Sequence, residues 1–174
     1  MPSAWCLVPG GCGAAAEVEL RPLRADDADD LVGLLEESEL RVWLRARNVE
    51  QLRERFGRWE VRRSPDGRER WLNWVFRSKE DGRALGWAQA TVGGGAAQVA
   101  YATLPAERGR GFASAALRAV IAELRDQYEV VFFEAHIRED NLGSQKVAAA
   151  AGFKHTDRTV RGESVWTLAV GSES

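Results

Sequence analysis

The chain has 174 residues, 45% of them hydrophobic and 29% charged, with a formal net charge of -2. That length supports one domain with a proper core rather than two. A charge so near neutral excludes a general nucleic-acid binder, which needs a strong basic excess, and with no apolar run of about 18 residues no membrane-spanning helix is expected.

Residues 1–16 are apolar and glycine-rich, but they lack the basic start and unbroken apolar stretch of a secretion signal. They are expected to form a flexible leader ahead of a single domain over residues 17–172. Both cysteines, Cys6 and Cys12, lie in that leader. A bridge between them would staple the leader alone, so a reducing, cytoplasmic setting is expected.

Val18 to Leu23 reads as an opening strand, held to an edge or an end by Pro22. Asp26 to Glu37 predicts a helix with an acidic first turn and apolar Leu31, Leu34 and Leu35. Asn48 followed by Gln51 suggests a capping box, and the helix after it gathers Val49, Leu52, Phe56 and Trp59 on one face. Three strands follow, Arg70 to Arg77, Ala84 to Val92 and Ala96 to Leu104, joined by loops short enough to require an antiparallel meander. Trp71, Trp74 and Trp87 fall on these strands and read as core, whereas Trp43 and Trp59 lie in the first helical region. Beyond residue 104 the pattern predicts a helix burying Ala113, Ala116, Leu117, Val120, Ile121 and Leu124, then a strand from Glu129 to Ile137 and a helix from Asn141 to Ala151. Strands near Thr156–Val160 and Ser164–Val170, with Glu163 in the turn between them, close the chain. This order describes an α+β fold with a mixed sheet, not a regular βαβ alternation.

The chemistry concentrates between the third meander strand and the helix after it. Gly109 and Gly111 permit close backbone approach, Ala113 and Ser114 keep the first helical turn small, and Arg108 and Arg110 add charge. Main-chain N–H groups, a helix N-terminus and two guanidinium groups converge there, and their physical partner is a phosphate or pyrophosphate. The Gly-Lys-Ser/Thr of a Walker loop is absent, and the antiparallel meander contradicts the βαβ context of a dinucleotide fingerprint.

The segment Arg108-Gly-Arg-Gly111-Phe-Ala113 resembles the Gln/Arg-x-x-Gly-x-Gly/Ala loop that binds acetyl-CoA in the GNAT superfamily. A second segment, from Ile137 through Asn141 and Ser144 to Gly152-Phe153, is similar to that superfamily's other motif. With Tyr101 and Pro105 leading into the loop, the pattern is similar to the branch that acetylates ribosomal-protein N-termini and its many relatives. The resemblance implies a mixed central sheet with an antiparallel N-terminal meander, splayed central strands and flanking helices. It implies acetyl-CoA as co-substrate and no metal. Pantetheine would lie on the backbone of Ala102, Thr103 and Leu104, with the pyrophosphate on the N–H groups of Arg108, Gly109, Arg110, Gly111, Phe112 and Ala113 beside the Ser114 hydroxyl. Asn141 would hold the pantetheine arm, with capping of the last helix as its other reading.

The family's acid is often a tyrosine seven residues after the motif Asn, where this chain has Ala148. A thiol leaving group of pKa about 8.5 needs little help, and Ser144 is the expected substitute. Glu134, with a pKa raised beside the splay, is the expected base, with His136 and Glu163 as further candidates. Trp43 and Trp59 are candidate linings of the acceptor pocket. The acceptor is expected to be a small-molecule amine or a peptide N-terminus, with neither nucleic acid nor membrane as partner, and a homodimer is possible. A non-catalytic CoA-binding sensor is the alternative, and a small RNA-binding module is disfavoured by the charge.

Overall fold

In a computed structural model, residues 17–171 are described; the expected leader and its two cysteines lie outside them. The seven strands, in chain order, are β1 (Val18–Pro22), β2 (Arg70–Ser78), β3 (Ala84–Gly93), β4 (Ala96–Thr103), β5 (Phe132–Ile137), β6 (Lys154–Val160) and β7 (Glu163–Ala169). The helices are α1 (Ala28–Leu31), α2 (Ser38–Leu44), α3 (Val49–Trp59), α4 (Phe112–Tyr128) and α5 (Leu142–Ala150). One seven-stranded sheet runs in the order β1-β2-β3-β4-β5-β7-β6. Every neighbouring pair is antiparallel except β4 and β5.

The meander forms as its loops require. Gly94 and Gly95 both take positive φ, 59° and 77°, the geometry of a two-residue turn between β3 and β4. The sheet is buried on both faces. One core packs Leu72, Trp74, Phe76, Val99 and Phe133 against Leu117, Val120 and Leu124 of α4. The other packs Val75 and Trp87 against Leu31, Leu44, Leu52 and Phe56 of the N-terminal helices. The helix face predicted for α4 is buried except for Ala113, which is only partly so, and Phe112, outside that prediction, is buried with it.

Four local readings change. The helix from Asp26 to Glu37 is instead a 3₁₀ turn at Ala25–Asp27, the single turn of α1, and a second 3₁₀ turn at Val32–Glu36. The Arg77 guanidinium clamps Asp27 and Asp30, each at 2.7 Å, and Gly33 fits under Leu104, whose Cδ2 would stand 3.1 Å from a Cβ there. Helix α2 occupies a stretch with no assigned element in the sequence reading. The box at the start of α3 is half formed: Asn48 Oδ1 accepts the Gln51 N–H at 2.9 Å, but Gln51 Oε1 takes the N–H of Arg47. Glu163 opens β7 rather than sitting in the turn.

One glycine controls how tightly the centre of the sheet closes. A Cβ on Gly86 would stand 2.2 Å from the Ala102 carbonyl oxygen and 2.4 Å from Phe76 Cζ. Neither neighbour yields cheaply, because one is backbone and the other a fully buried ring. Gly86→Ala should therefore cost about 3 kcal/mol and lower the melting temperature by roughly 6–12 °C. A thermal unfolding curve unchanged from wild type would refute this packing.

Candidate active site

The parallel pairing of β4 with β5 is short. It runs from Ala96↔Phe132 to Gln98↔Glu134 and stops, although β4 continues to Thr103 and β5 to Ile137. The strands part over those last residues, and the opening is the centre of the site. Main-chain direction alternates along a strand. Leu104 N–H is bonded to the Leu85 carbonyl at 2.8 Å, on the β3 side, and the Gly95 carbonyl accepts from Val131 N–H at 3.0 Å, on the β5 side. The main-chain groups of Tyr101 and Thr103 therefore face the opening, and those of Ala102 and the Leu104 N–H face β3. This differs from the sequence expectation for Ala102 and Leu104: Ala102 and the Leu104 N–H are turned to β3, the Leu104 carbonyl accepts from Glu107 N–H at 2.9 Å, and the Leu104 side chain packs against the N-terminal helical core.

Below the opening lies a cavity of about 600 Å³. Tyr101, Ala102, Thr103, Arg108, Gly109, Gly111, Phe112, Ala113, Ser114, Asn141 and Ser144, all singled out in the sequence except as a lining for Tyr101, come together around it. Gly109 and Gly111 adopt φ of 72° and 80°, in the left-handed region that glycine enters without penalty. The first hydrogen bond of α4 runs from Ala115 N–H to the Gly111 carbonyl at 3.1 Å. The N–H groups of residues 109–114 find no intramolecular acceptor among the described residues, and Gly111 supplies no side-chain cap. A row of unpaired donors at the positive end of a 17-residue helix suits a diphosphate.

The arginines behave differently from expectation. Arg108 pairs with Glu37 across the cavity, and Arg110 pairs with Glu107 at 2.9 Å while lying over the Phe112 ring. Glu107 is held below the usual carboxylate range, chiefly by the hydrogen bond from Arg83. The main chain, more than the guanidinium groups, is what this corner leaves free. Lys146, missed in the sequence, also lines the cavity.

At the start of α5, Asn141 Oδ1 accepts the Ser144 N–H at 3.0 Å, so its capping role is real. The amide nitrogen is left for another partner. Ser144 Oγ has no hydrogen bond among the described residues, while the Ser144 carbonyl accepts from the Tyr101 hydroxyl at 2.9 Å. Burial pushes the Tyr101 phenol pKa up, so it stays a donor. Ala148 is fully buried in the core and offers nothing to the cavity.

A second cavity, of about 510 Å³, adjoins the first through Leu40, Tyr101, Asn141 and Ser144. Trp43, Trp87, His136 and Glu163 line it, and Glu134 does not. His136 Nε2 meets Glu134 Oε1 at 2.6 Å, Arg158 donates to Glu134 Oε2 at 3.1 Å, and Gln98 Nε2 lies 3.2 Å from His136 Nδ1. A carboxylate only accepts, so Nε2 carries the imidazole proton and Nδ1 accepts. Burial disfavours the Glu134 carboxylate, but the hydrogen bonds from His136 and Arg158 prevail and hold its pKa below the ordinary range. The raised pKa expected for Glu134 is thus the wrong direction, because partners supplied by β5 and β6 outweigh desolvation.

Residues 17–154 match the family model described as an acetyltransferase (GNAT) domain. A search of curated proteins finds no match. Among solved structures, the chain is similar to RimJ of Mycobacterium smegmatis in complex with CoA-disulfide, at 21% identity and a TM-score of 0.72, covering 89% of this chain and 83% of that one. It is similar to aminoglycoside acetyltransferase AAC(6')-Ib in complex with coenzyme A, at 19% identity and 0.70, with coverage of 88% and 95%. A putative ribosomal-protein-serine acetyltransferase from Vibrio cholerae matches at 16% identity and 0.69, with coverage of 88% and 94%.

Proposed function

This chain belongs to the GNAT acetyltransferase family, and from that premise we propose that it moves the acetyl group of acetyl-CoA directly onto a primary amine, a peptide N-terminus or a small molecule, within one ternary complex. The observation that carries this reading is the meeting of two cavities at Ser144 and Tyr101, where the sheet is open. One cavity has the donors for a diphosphate. The other has a histidine, a carboxylate and an apolar wall suited to an amine. The neighbours solved with coenzyme A or CoA-disulfide support the first assignment, and residues 17–171 include no helix long and apolar enough to cross a membrane. Both cysteines precede this region, and we retain the cytoplasmic setting.

In this reading, the N–H groups of residues 109–114 seat the diphosphate and the Asn141 amide nitrogen holds the pantetheine arm. The main-chain N–H of Tyr101 or Thr103, aimed into the opening, meets the oxygen that gains charge as the amine attacks the thioester. An alkyl ammonium, with pKa about 10, gives up its proton to His136 Nδ1 as the Gln98 amide leaves that nitrogen, while Nε2–H stays on Glu134, which fixes the tautomer. Glu134 is then a positioning residue rather than the base. The Ser144 hydroxyl, at the junction of the cavities, hands its proton to the departing thiolate and takes up the second proton shed by the attacking nitrogen, so no alkoxide remains.

Ser144→Ala should lower kcat roughly tenfold, a modest effect because the leaving thiol is already acidic. The affinity for acetyl-CoA should hold. Free-thiol release measured against calorimetric binding separates the two, and full turnover by the variant would return Ser144 to a purely helical role. For the transfer itself, an amine panel mixed with protein and acetyl-CoA is the test. Tight binding without thiol release from any amine would overturn it.

A further inference from the structure

Resting on the assignment of the second cavity to the acceptor, we infer that the acceptor is a monoamine with an aromatic or bulky apolar body, seated against Trp43. Three indoles make a rigid block at this wall. Trp59 stacks on Trp87 with centroids 5.7 Å apart and planes at 18°. Trp43 lies 4.9 Å from Trp87 and 6.0 Å from Trp59. Trp87 is buried at 2% exposure, yet Trp43 remains 45% exposed. The block holds Trp43 from behind and leaves part of its ring open to the cavity, beside Leu40, Val42 and Val99. An indole fixed in that way is an apolar surface without a partner, and its flat face selects another ring or a large aliphatic group.

Most of the charged groups that line the cavity are already paired. Glu39 and Arg138 line it but pair with each other, and Arg138 also pairs with Asp140. His136 is engaged by Glu134 and Gln98. The Glu163 carboxylate lines the cavity with no hydrogen bond or ion pair among the described residues. One free carboxylate accommodates one ammonium. A polycationic amine would bring further ammonium groups to a cavity whose other lining carboxylate, Glu39, is already paired with Arg138, and charges buried without a partner are costly. The two poles, Trp43 and Glu163, thus describe a ligand with one charge and one large apolar group.

Tryptophanamide, glycinamide and kanamycin distinguish the classes. Tryptophanamide should be acetylated with the highest kcat/KM of the three, and it should bind the protein saturated with CoA in calorimetry. Trp43→Ala, a change at a half-exposed side chain, should reduce the ratio of kcat/KM for tryptophanamide over glycinamide roughly tenfold or more. Circular dichroism verifies that the variant folds. Kanamycin or glycinamide used as well as tryptophanamide, or an unchanged ratio in the variant, overturns the inference. Binding of tryptophanamide to the CoA complex without turnover of any amine would sink the transfer reading while supporting this one. Absence of both binding and turnover of tryptophanamide sinks the inference whatever the other amines do.

Discussion

Gly111→Asp is expected to weaken acetyl-CoA binding by at least about a hundredfold while the protein stays folded. Gly111 sits at φ 80°, where most side chains are strained, but Asp and Asn tolerate that region better than other residues. The fold therefore survives, and the charge decides the outcome. A carboxylate about 5 Å from one phosphate charge, at an effective dielectric of about 20, costs roughly 3 kcal/mol, and each tenfold in affinity is about 1.4 kcal/mol. Gly111→Asn has nearly the same shape without the charge and should lose far less. Calorimetric titration of both variants with coenzyme A reads the difference. Equal losses would mean that bulk alone fills the corner, and undiminished binding by Gly111→Asp would remove the diphosphate from residues 109–114.

The architecture was legible because its signals were local. Two-residue glycine turns, the Asn48 and Asn141 caps and the apolar stripe of α4 each act within a few residues, and the strands and long helices followed from them. Helix α2 was not legible: Leu40, Val42, Trp43 and Leu44 give its seven residues no single apolar stripe, since Val42 and Trp43 are exposed and Leu44 is buried. Nor could β4 reveal which peptide groups face the opening. Its alanines at 96, 97, 100 and 102 populate both faces, and whether the Thr103 peptide is left free depends on where pairing with β5 stops. The arginines show the same limit. Arg108 looked free in the sequence because Glu37 lies on a distant segment that only the folded chain brings alongside it. Glu134 shows it too: its neighbours Arg158 and His136 reverse the shift that burial alone would give.

His136→Gln is the substitution that tests the chemistry most directly. Gln preserves a polar side chain of similar length in the cavity wall but cannot carry a proton at neutral pH. If His136 takes the proton from the attacking amine, kcat should fall by about 10²–10⁴ with the affinity for acetyl-CoA preserved. Glu134→Gln should cost less. It keeps a hydrogen-bond acceptor for Nε2–H and removes the charge that stabilises the imidazolium formed after transfer, so the ring remains in place but becomes a weaker base. Glu163→Gln should act differently again, raising KM for the amine more than it lowers kcat, because it removes the cavity's free carboxylate and leaves the proton acceptor intact. Steady-state kinetics on the three variants separates these roles. Full turnover by His136→Gln would exclude the imidazole, and a kcat collapse confined to Glu163→Gln would move the proton to β7, since Glu163 lines the same cavity from the strand paired with β5.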